Sequence, residues 1–396
     1  VKNPQSSPIT PVEVRATDKP PLWIMRLIWV VVALALLRNL FPPNSFTATV
    51  LIFDYENGLV RRGFWGEVLN LFWGETVSKS EIFAASAVLT LVGLAALLAV
   101  FAKWSAVSFA VARWMLLFVC SFAFSALVAS TGYIDLALIG VVSLVLFFDP
   151  RSTIGVFLRC LAVFAGMFMH EVMLPYFAVF LVYDIWLSRP TARHALIALG
   201  PLVVGFAALF ILSVWGQLPQ EEVADYIAHI EAKSEFSAEP EATVVMERTF
   251  SDNMVMMAEK RGMLDYRSWV LFDGLPLLVM SLWLIVINLR LLPETAGALT
   301  RLLLAGAILA PLSLNIIAFD VVRFGAVSVL IGFLCVISLL RADPSAAGRL
   351  DRILGWPLLL IVLVLNLHVT VNQMNTGDRQ DYGAPWAIIK QLDWLR

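Results

Sequence analysis

Charge is what this chain has least of. Acidic and basic residues together make up 15% of the 396 residues, against 60% hydrophobic ones, and the mean hydropathy is +0.83. Soluble domains carry about 25% charged residues, so that class is excluded. Cysteine is nearly absent as well. Cys120, Cys160 and Cys335 each sit inside an apolar run. Their spacing shows neither a metal site nor a disulfide framework, and they read as small buried hydrophobes. No internal repeat or low-complexity tract is visible, and transporters often carry such repeats. There is no excess of one sign either: the net charge of −2 gives no reason to expect nucleic acid as a partner.

What the sequence has instead is apolar runs, many near the ~20 residues that cross a bilayer. Spans are expected at 22–41, 81–102, 112–131, 133–148, 154–169, 171–187, 195–216, 269–289, 300–317, 322–340 and 354–372. The polar, proline-rich residues 1–21 then form a cytoplasmic tail, 22–372 a single transmembrane domain, and 373–396 an extracytoplasmic tail. No cleavage site follows the first run, so it reads as a retained anchor. Lysine and arginine in short loops favour the cytoplasm. An inside N-terminus puts Lys103, Arg113, Arg151, Arg189, Arg193, Arg290, Arg301, Arg341, Arg349 and Arg352 there, and the long loops 42–80 and 217–268 outside.

Residues 154–187 need a separate argument, because they form one nearly unbroken apolar stretch with His170, Glu171 and Pro175 at its middle. As a single helix it would be about 51 Å long, against ~30 Å of hydrocarbon. One crossing would also reverse every later arginine-bearing loop. Two passes turning near His170 satisfy both constraints. The loop 217–268 is acidic in its first half, where Val223, Ile227 and Ile230 repeat at helical spacing. Its second half mixes Met254, Met256 and Met257 with Lys260, Arg261 and Arg267. That half suits an amphipathic lid on the membrane surface, or else a plain solvated loop.

The charges inside or beside the apolar runs carry the functional argument, since a charge at membrane depth costs about 2.5–3.5 kcal/mol on insertion scales. Phe53-Asp54-Tyr55-Glu56-Asn57-Gly58-Leu59-Val60-Arg61-Arg62-Gly63 is the densest group. Asp54 or Glu56 offers a general base for a hydroxyl. Arg61 and Arg62 offer planar forks for phosphate, and the alternative is a salt-bridged interfacial loop. His170-Glu171 can position an acceptor or pair with an arginine, and Leu174 breaks the HExxH zinc pattern. Asp320 and Arg323 stand three apart on one helix face, a spacing that allows an internal ion pair or a phosphate grip. Asp135 reads first as the cap of the fourth span, and Asp149-Pro150 as a turn on the inner side. His368 and Asn366 are minor candidates.

The long acidic first outer loop, the acid opening a span in Tyr133-Ile134-Asp135-Leu136, and the large outer loop of the second half resemble the bacterial GT-C membrane glycosyltransferases. Asp54, Gly58, Arg61-Arg62-Gly63, His170-Glu171 and Asp320…Arg323 look like signatures of polysaccharide-polymerase-type members. The resemblance implies an all-α, polytopic, GT-C-like protein of about eleven transmembrane helices, with short juxtamembrane helices in its extracytoplasmic loops. It implies residence in the bacterial inner membrane, with the active site facing the extracytoplasmic side. There a sugar would pass from a polyprenyl-phosphate-linked donor to a glycan or lipid-linked acceptor. Asp54 matches the family's first-loop acid, with Glu56 second. Arg61, Arg62, Arg323 and Asp320 would bind the donor phosphate, and His170, Glu171 and Asp135 would line the acceptor side. A divalent cation is compatible with this scheme but not required by the sequence. An apolar setting is expected to raise the pKa of the base. A lipid-linked oligosaccharide polymerase or ligase, or a transporter or flippase, are the competing readings.

Overall fold

The computed structural model describes residues 19–355, apart from 40–41, 57, 74–75, 107, 248–249, 264–266, 268–269 and 319. The helices are α1 Leu22–Asn39, α2 Ser45–Leu51, α3 Phe64–Asn70, α4 Lys79–Ser105, α5 Phe109–Val119, α6 Phe122–Ala129, α7 Asp135–Val145 and α8 Thr153–Met169. They continue as α9 Val179–Ser188, α10 Ala192–Ala198, α11 Gly200–Trp215, α12 Gln220–Ala232, α13 Pro240–Glu247 and α14 Phe250–Lys260. The last four are α15 Leu275–Leu291, α16 Ala298–Leu309, α17 Val321–Ala342 and α18 Ala346–Ile353. The described chain is all-helical, its one β-type contact being an isolated bridge between Val77 and Ser234.

Every expected apolar stretch up to residue 342 contains helix, while the expected last span and C-terminal tail, with His368 and Asn366, lie outside the described residues. Among the described residues, three helices are long and apolar enough to cross a membrane: Lys79–Ser105, Ala298–Ile316 (α16 with its 3-10 extension) and Val321–Ala342. The pair α5–α6 makes a fourth if its 55° bend belongs to one span. The stretch expected as a span at 112–131 holds these two helices. Ser121 caps α6 by accepting from the Phe124 N–H, and it starts a new helix inside an apolar run. The remaining apolar helices, such as the 17-residue α8 and the 16-residue α11, are shorter.

Buried α17 is the axis of the bundle: each of its residues from Val321 to Leu340 is buried, with α6, α9, α15 and α16 packed around it. Its polar groups find internal partners, as a water-poor interior demands. Ser328 donates to the Ile308 carbonyl, and Asn288 on α15 donates 3.0 Å to the Gly332 carbonyl. Small residues bring α4 and α7 together. A Cβ on Gly93 would lie 1.9 Å from the Leu136 carbonyl oxygen, and one on Gly140 would lie 2.8 Å from the Gly93 Cα. Only glycine permits that approach, the usual device where packing and not water drives helix association.

The 154–187 stretch turns back on itself. α8 stops at His170, which is extended (φ −166°, ψ 131°), and a π-helical turn with Pro175 leads into α9. Arg159 near the start of α8 donates to Asp184 near the end of α9 at 2.6 and 2.9 Å. Those two residues therefore share one end of the bundle, as two passes require.

That pair also defines the far end. Asp184 accepts from Ser338 at 2.6 Å, Arg341 donates to the Leu146 carbonyl, and Lys103 sits over the Phe147 ring. Arg113 pairs with Asp351, and Arg349 with Asp343 and the Leu291 carbonyl. The near end carries the first loop, the starts of α7 and α17 and the turn at His170. This two-ended sorting of basic residues gives a direct test of orientation. With the native cysteines replaced, a cysteine at Glu235 is expected to react with an impermeant thiol reagent in intact cells. One at Ser345 is expected to react only after permeabilisation, and the reverse pattern would turn the protein over.

Candidate functional site

The first-loop acids lie beneath α12. Tyr226, buried in the middle of that helix, clamps the loop backbone: its hydroxyl donates 3.1 Å to the Asp54 carbonyl and accepts from the Asp54 N–H at 3.0 Å. One and two turns further on, His229 and Lys233 reach the carboxylates. Lys233 Nζ is 2.8 Å from Asp54 Oδ2 and 2.5 Å from Glu56 Oε1, and His229 Nε2 is 3.4 Å from an oxygen of each acid. Asn70 from α3 donates to Asp54 as well. The covering segment is strapped down at several further points. The Arg61 N–H donates to the Gly216 carbonyl, Val77 exchanges hydrogen bonds with Lys233 and Glu235, and the Glu239 N–H donates to Thr49.

The lid over the acids is therefore the acidic first half of the 217–268 loop. Its buried face is Val223, Tyr226 and Ile230, with Ile227 only partly covered. In the second half Met257 is buried against Val321.

The expected rise in the pKa of Asp54 is also corrected. Burial does oppose its ionisation, but the Lys233 ammonium, the Glu56 N–H and Asn70 together outweigh burial and hold the carboxyl below its ordinary value. Burial likewise opposes the charge on Lys233, and the two carboxylates override it and raise its pKa. The sign of the linkage follows. A depressed acid contributes stability above its unfolded pKa, which is lost as pH falls through the folded value. A raised lysine contributes stability that is lost at high pH. Closure of α12 over the loop is expected to hold constant between about pH 4 and about pH 10. The protection of the α12 amides, taken relative to their intrinsic exchange rate at each pH, should fall below that window, and unchanged protection at acid pH would show that the ion pairs do not hold the lid.

The second group of charges sits next to the first. Arg62 occupies left-handed backbone (φ 67°), the one non-glycine residue to do so among those described, and Gly58 (φ 109°) precedes it in the same loop. Side chains such as arginine rarely adopt that conformation, and where it persists it tends to mark functional segments. The turn folds tightly, for a Cβ on Gly63 would lie 3.0 Å from the Asp54 carbonyl oxygen. Arg62 thereby faces Glu171 with a bidentate ion pair, and His170 Nδ1 lies 3.2 Å from the same carboxylate.

Arg323 at the start of α17 donates to both oxygens of Asp135, at 2.7 and 3.0 Å, and to Asp320 at 2.5 Å. Its guanidinium lies 3.8 Å from the centre of the Tyr133 ring. Asp320 is within electrostatic range of both Arg62 and His170.

The structure thus brings Arg62, Asp135, His170, Glu171, Asp320 and Arg323 to one end of the bundle, the end that also carries Asp54 and Glu56. They form two adjoining clusters and not a single ring. Asp135 is corrected from a helix cap: Ile134 holds the cap position, and the Asp135 carboxylate faces Arg323. Arg323 and Asp320 realise the internal ion pair that their spacing allowed, and the Arg323 fork is filled by carboxylates. Asp135 is the main partner of Arg323, meeting its guanidinium with both carboxylate oxygens. Arg61 stands in the same loop as Arg62 and is half-buried.

His229 and Lys233 were not among the sequence candidates. The signal was present, since Tyr226, His229 and Lys233 follow one another along one helix face at i, i+3 and i+7, but it was masked by the surrounding acids. Asp54, Glu56 and His229 also present ligand atoms all within 4.8 Å of one another, a mixed oxygen and nitrogen set that suits a divalent ion. Lys233 already pairs with both acids. Nearby, the Tyr55 hydroxyl and Trp65 Nε1 are buried without a hydrogen-bond partner among the described residues. Burial pushes the Tyr55 hydroxyl up to about 12, so it stays a donor. No family model, curated protein or solved structure matches this chain.

Proposed function

We propose that the protein is an integral membrane glycosyltransferase of the extracytoplasmic face, moving a sugar from a polyprenyl-phosphate donor to a glycan or lipid-linked acceptor. The observation that carries this reading is the Asp54–Glu56 pair. Both acids lie at one end of an apolar bundle, under a helix that supplies His229 and Lys233. Sugar transfer needs those functions side by side. The acceptor oxygen forms a bond to the anomeric carbon while the bond from that carbon to the phosphate oxygen breaks. The acceptor proton passes to a carboxylate, and the leaving phosphate keeps the electron pair and needs a positive neighbour.

Glu56, half-exposed at 54%, is the carboxylate an acceptor can reach, whereas Asp54 is fully buried. We assign Glu56 the proton and Asp54 the holding of Lys233 and His229. Lys233, 27% exposed, is the cation that can swing from the acids toward the phosphate. Arg62 supplies a second positive group if Glu171 releases it. The unpartnered Tyr55 and Trp65 donors remain for sugar hydroxyls or phosphate oxygens. The apolar flanks of the helices would hold the polyprenyl chain.

The test is purified protein in detergent, supplied with polyprenyl-phosphate sugars and a lipid-linked or glycan acceptor. Glycosidic product is expected with at least one donor. If the wild type forms no product across a broad donor panel but moves a lipid-linked substrate between leaflets of a vesicle, the protein is a carrier and not an enzyme.

A further inference from the structure

We propose that a second site, at the end of the bundle opposite the first loop, binds the phosphate of an anionic lipid headgroup. The ends of α4, α7, α9 and α17 converge there around an open cavity of about 320 Å³. That is at the small end of the range for ligand sites.

The charges around it divide into two sets. The buried set is closed on itself: Asp184 takes Arg159 and Ser338, and Arg341 divides its guanidinium between Asp184 and the Leu146 carbonyl. Set aside from these, Lys103 and Arg151 line the cavity and form no ion pair among the described residues. Asp149, the other acid in the lining, spends one oxygen on the Arg151 backbone N–H, closing the turn before α8. Four cations, Arg159 among them, therefore stand against two acids, and of the two cations without acid partners Lys103 is exposed and Arg151 half-buried.

Capping of helix C-termini by basic groups explains Arg341, whose fork reaches a terminal carbonyl. It leaves Arg151 unexplained, because Arg151 lies just before a helix start and not after a helix end.

The surroundings favour a lipid as the source of the anion. Trp104, Phe147 and Phe148 share the rim, the two phenylalanines being 38% and 46% exposed, and aromatic residues gather at the depth of lipid headgroups. Lys103 Nζ stands 5.1 Å from the Phe147 ring centre, at the edge of that belt. This is also the basic end of the bundle, the side on which anionic lipids attract juxtamembrane lysine and arginine.

The experiment uses the full chain in nanodiscs and in detergent, with lipid retention read by native mass spectrometry and thermal stability read alongside. The probes are phosphatidylglycerol and phosphatidylcholine. Wild type is expected to retain phosphatidylglycerol selectively. The double variant Lys103→Gln/Arg151→Gln, which leaves the Arg159–Asp184–Arg341 network intact, should bind it roughly thirty-fold more weakly. Arg290→Gln, a change in basic charge outside the cavity lining, should leave retention unchanged. Displacement of the lipid by excess inorganic phosphate would reassign the site to a free phosphate. Equal retention of both lipids, or an equal loss in the double variant and in Arg290→Gln, would overturn the proposal.

Discussion

Purified Glu56→Gln protein is expected to lose roughly 10²–10⁴-fold in turnover, the usual size of a lost acid–base function, and Asp54→Asn protein is expected to lose turnover through its misplaced cations. The two losses should differ in kind. Glu56→Gln removes the proton acceptor while Asp54 still holds Lys233, so donor binding and protection of α12 should stay close to wild type. Asp54→Asn frees Lys233 and His229 from their common buried anchor. The lid should loosen, visible as faster amide exchange across residues 220–232, and the apparent affinity for donor should change along with turnover. Full activity in Glu56→Gln with loss only in Asp54→Asn would move the base to the buried acid. Full activity in both would remove the first loop from the chemistry.

The largest effect on stability is expected at Arg323. Its fork bonds Asp135, whose side chain is 1% exposed, and Asp320, and it stacks on Tyr133. Arg323→Met keeps much of the volume but strands two acids in an apolar interior, which should cost about 3–5 kcal/mol. Breaking such a network differs from replacing it. The triple change Arg323→Met/Asp135→Leu/Asp320→Ala should recover most of the loss, because no charge is then left uncompensated. Thermal unfolding in one detergent across the series reads both values. A single variant with wild-type stability would show that these acids do not need their arginine, and its role would return to the ligand.

Much of this architecture was legible without coordinates, and for a physical reason. Bilayer thickness and the placement of arginines act on segments, not on contacts. Apolar length therefore located the apolar helices, and length together with loop charge required 154–187 to turn back. The Arg159–Asp184 pair now ties the two ends of that stretch together. The breaks inside apolar runs were harder to see. At Ser121 a single hydroxyl divides α5 from α6, and hydropathy hardly registers one serine among phenylalanines.

The candidate site was legible as a set of residues and opaque as a set of partners. Asp54, Arg62, Asp135, Glu171 and Arg323 stood out because charge is scarce in this chain, and scarcity is a property of sequence. Which acid each arginine meets is set by how helices distant in sequence pack. Arg62 and Glu171 are 109 positions apart, Asp135 and Arg323 188, and Asp54 and Lys233 179. No local spacing encodes such meetings. The pKa of Asp54 went the other way for the same reason. An apolar neighbourhood raises a carboxyl, but a lysine carried in by a remote helix lowers it again. The sequence by itself determined that this is an all-helical, charge-poor chain of apolar runs whose charged loops are sorted between two ends. Only the tertiary structure decided that α12 lies over the first-loop acids, because a lid is defined by what it touches and not by its own composition.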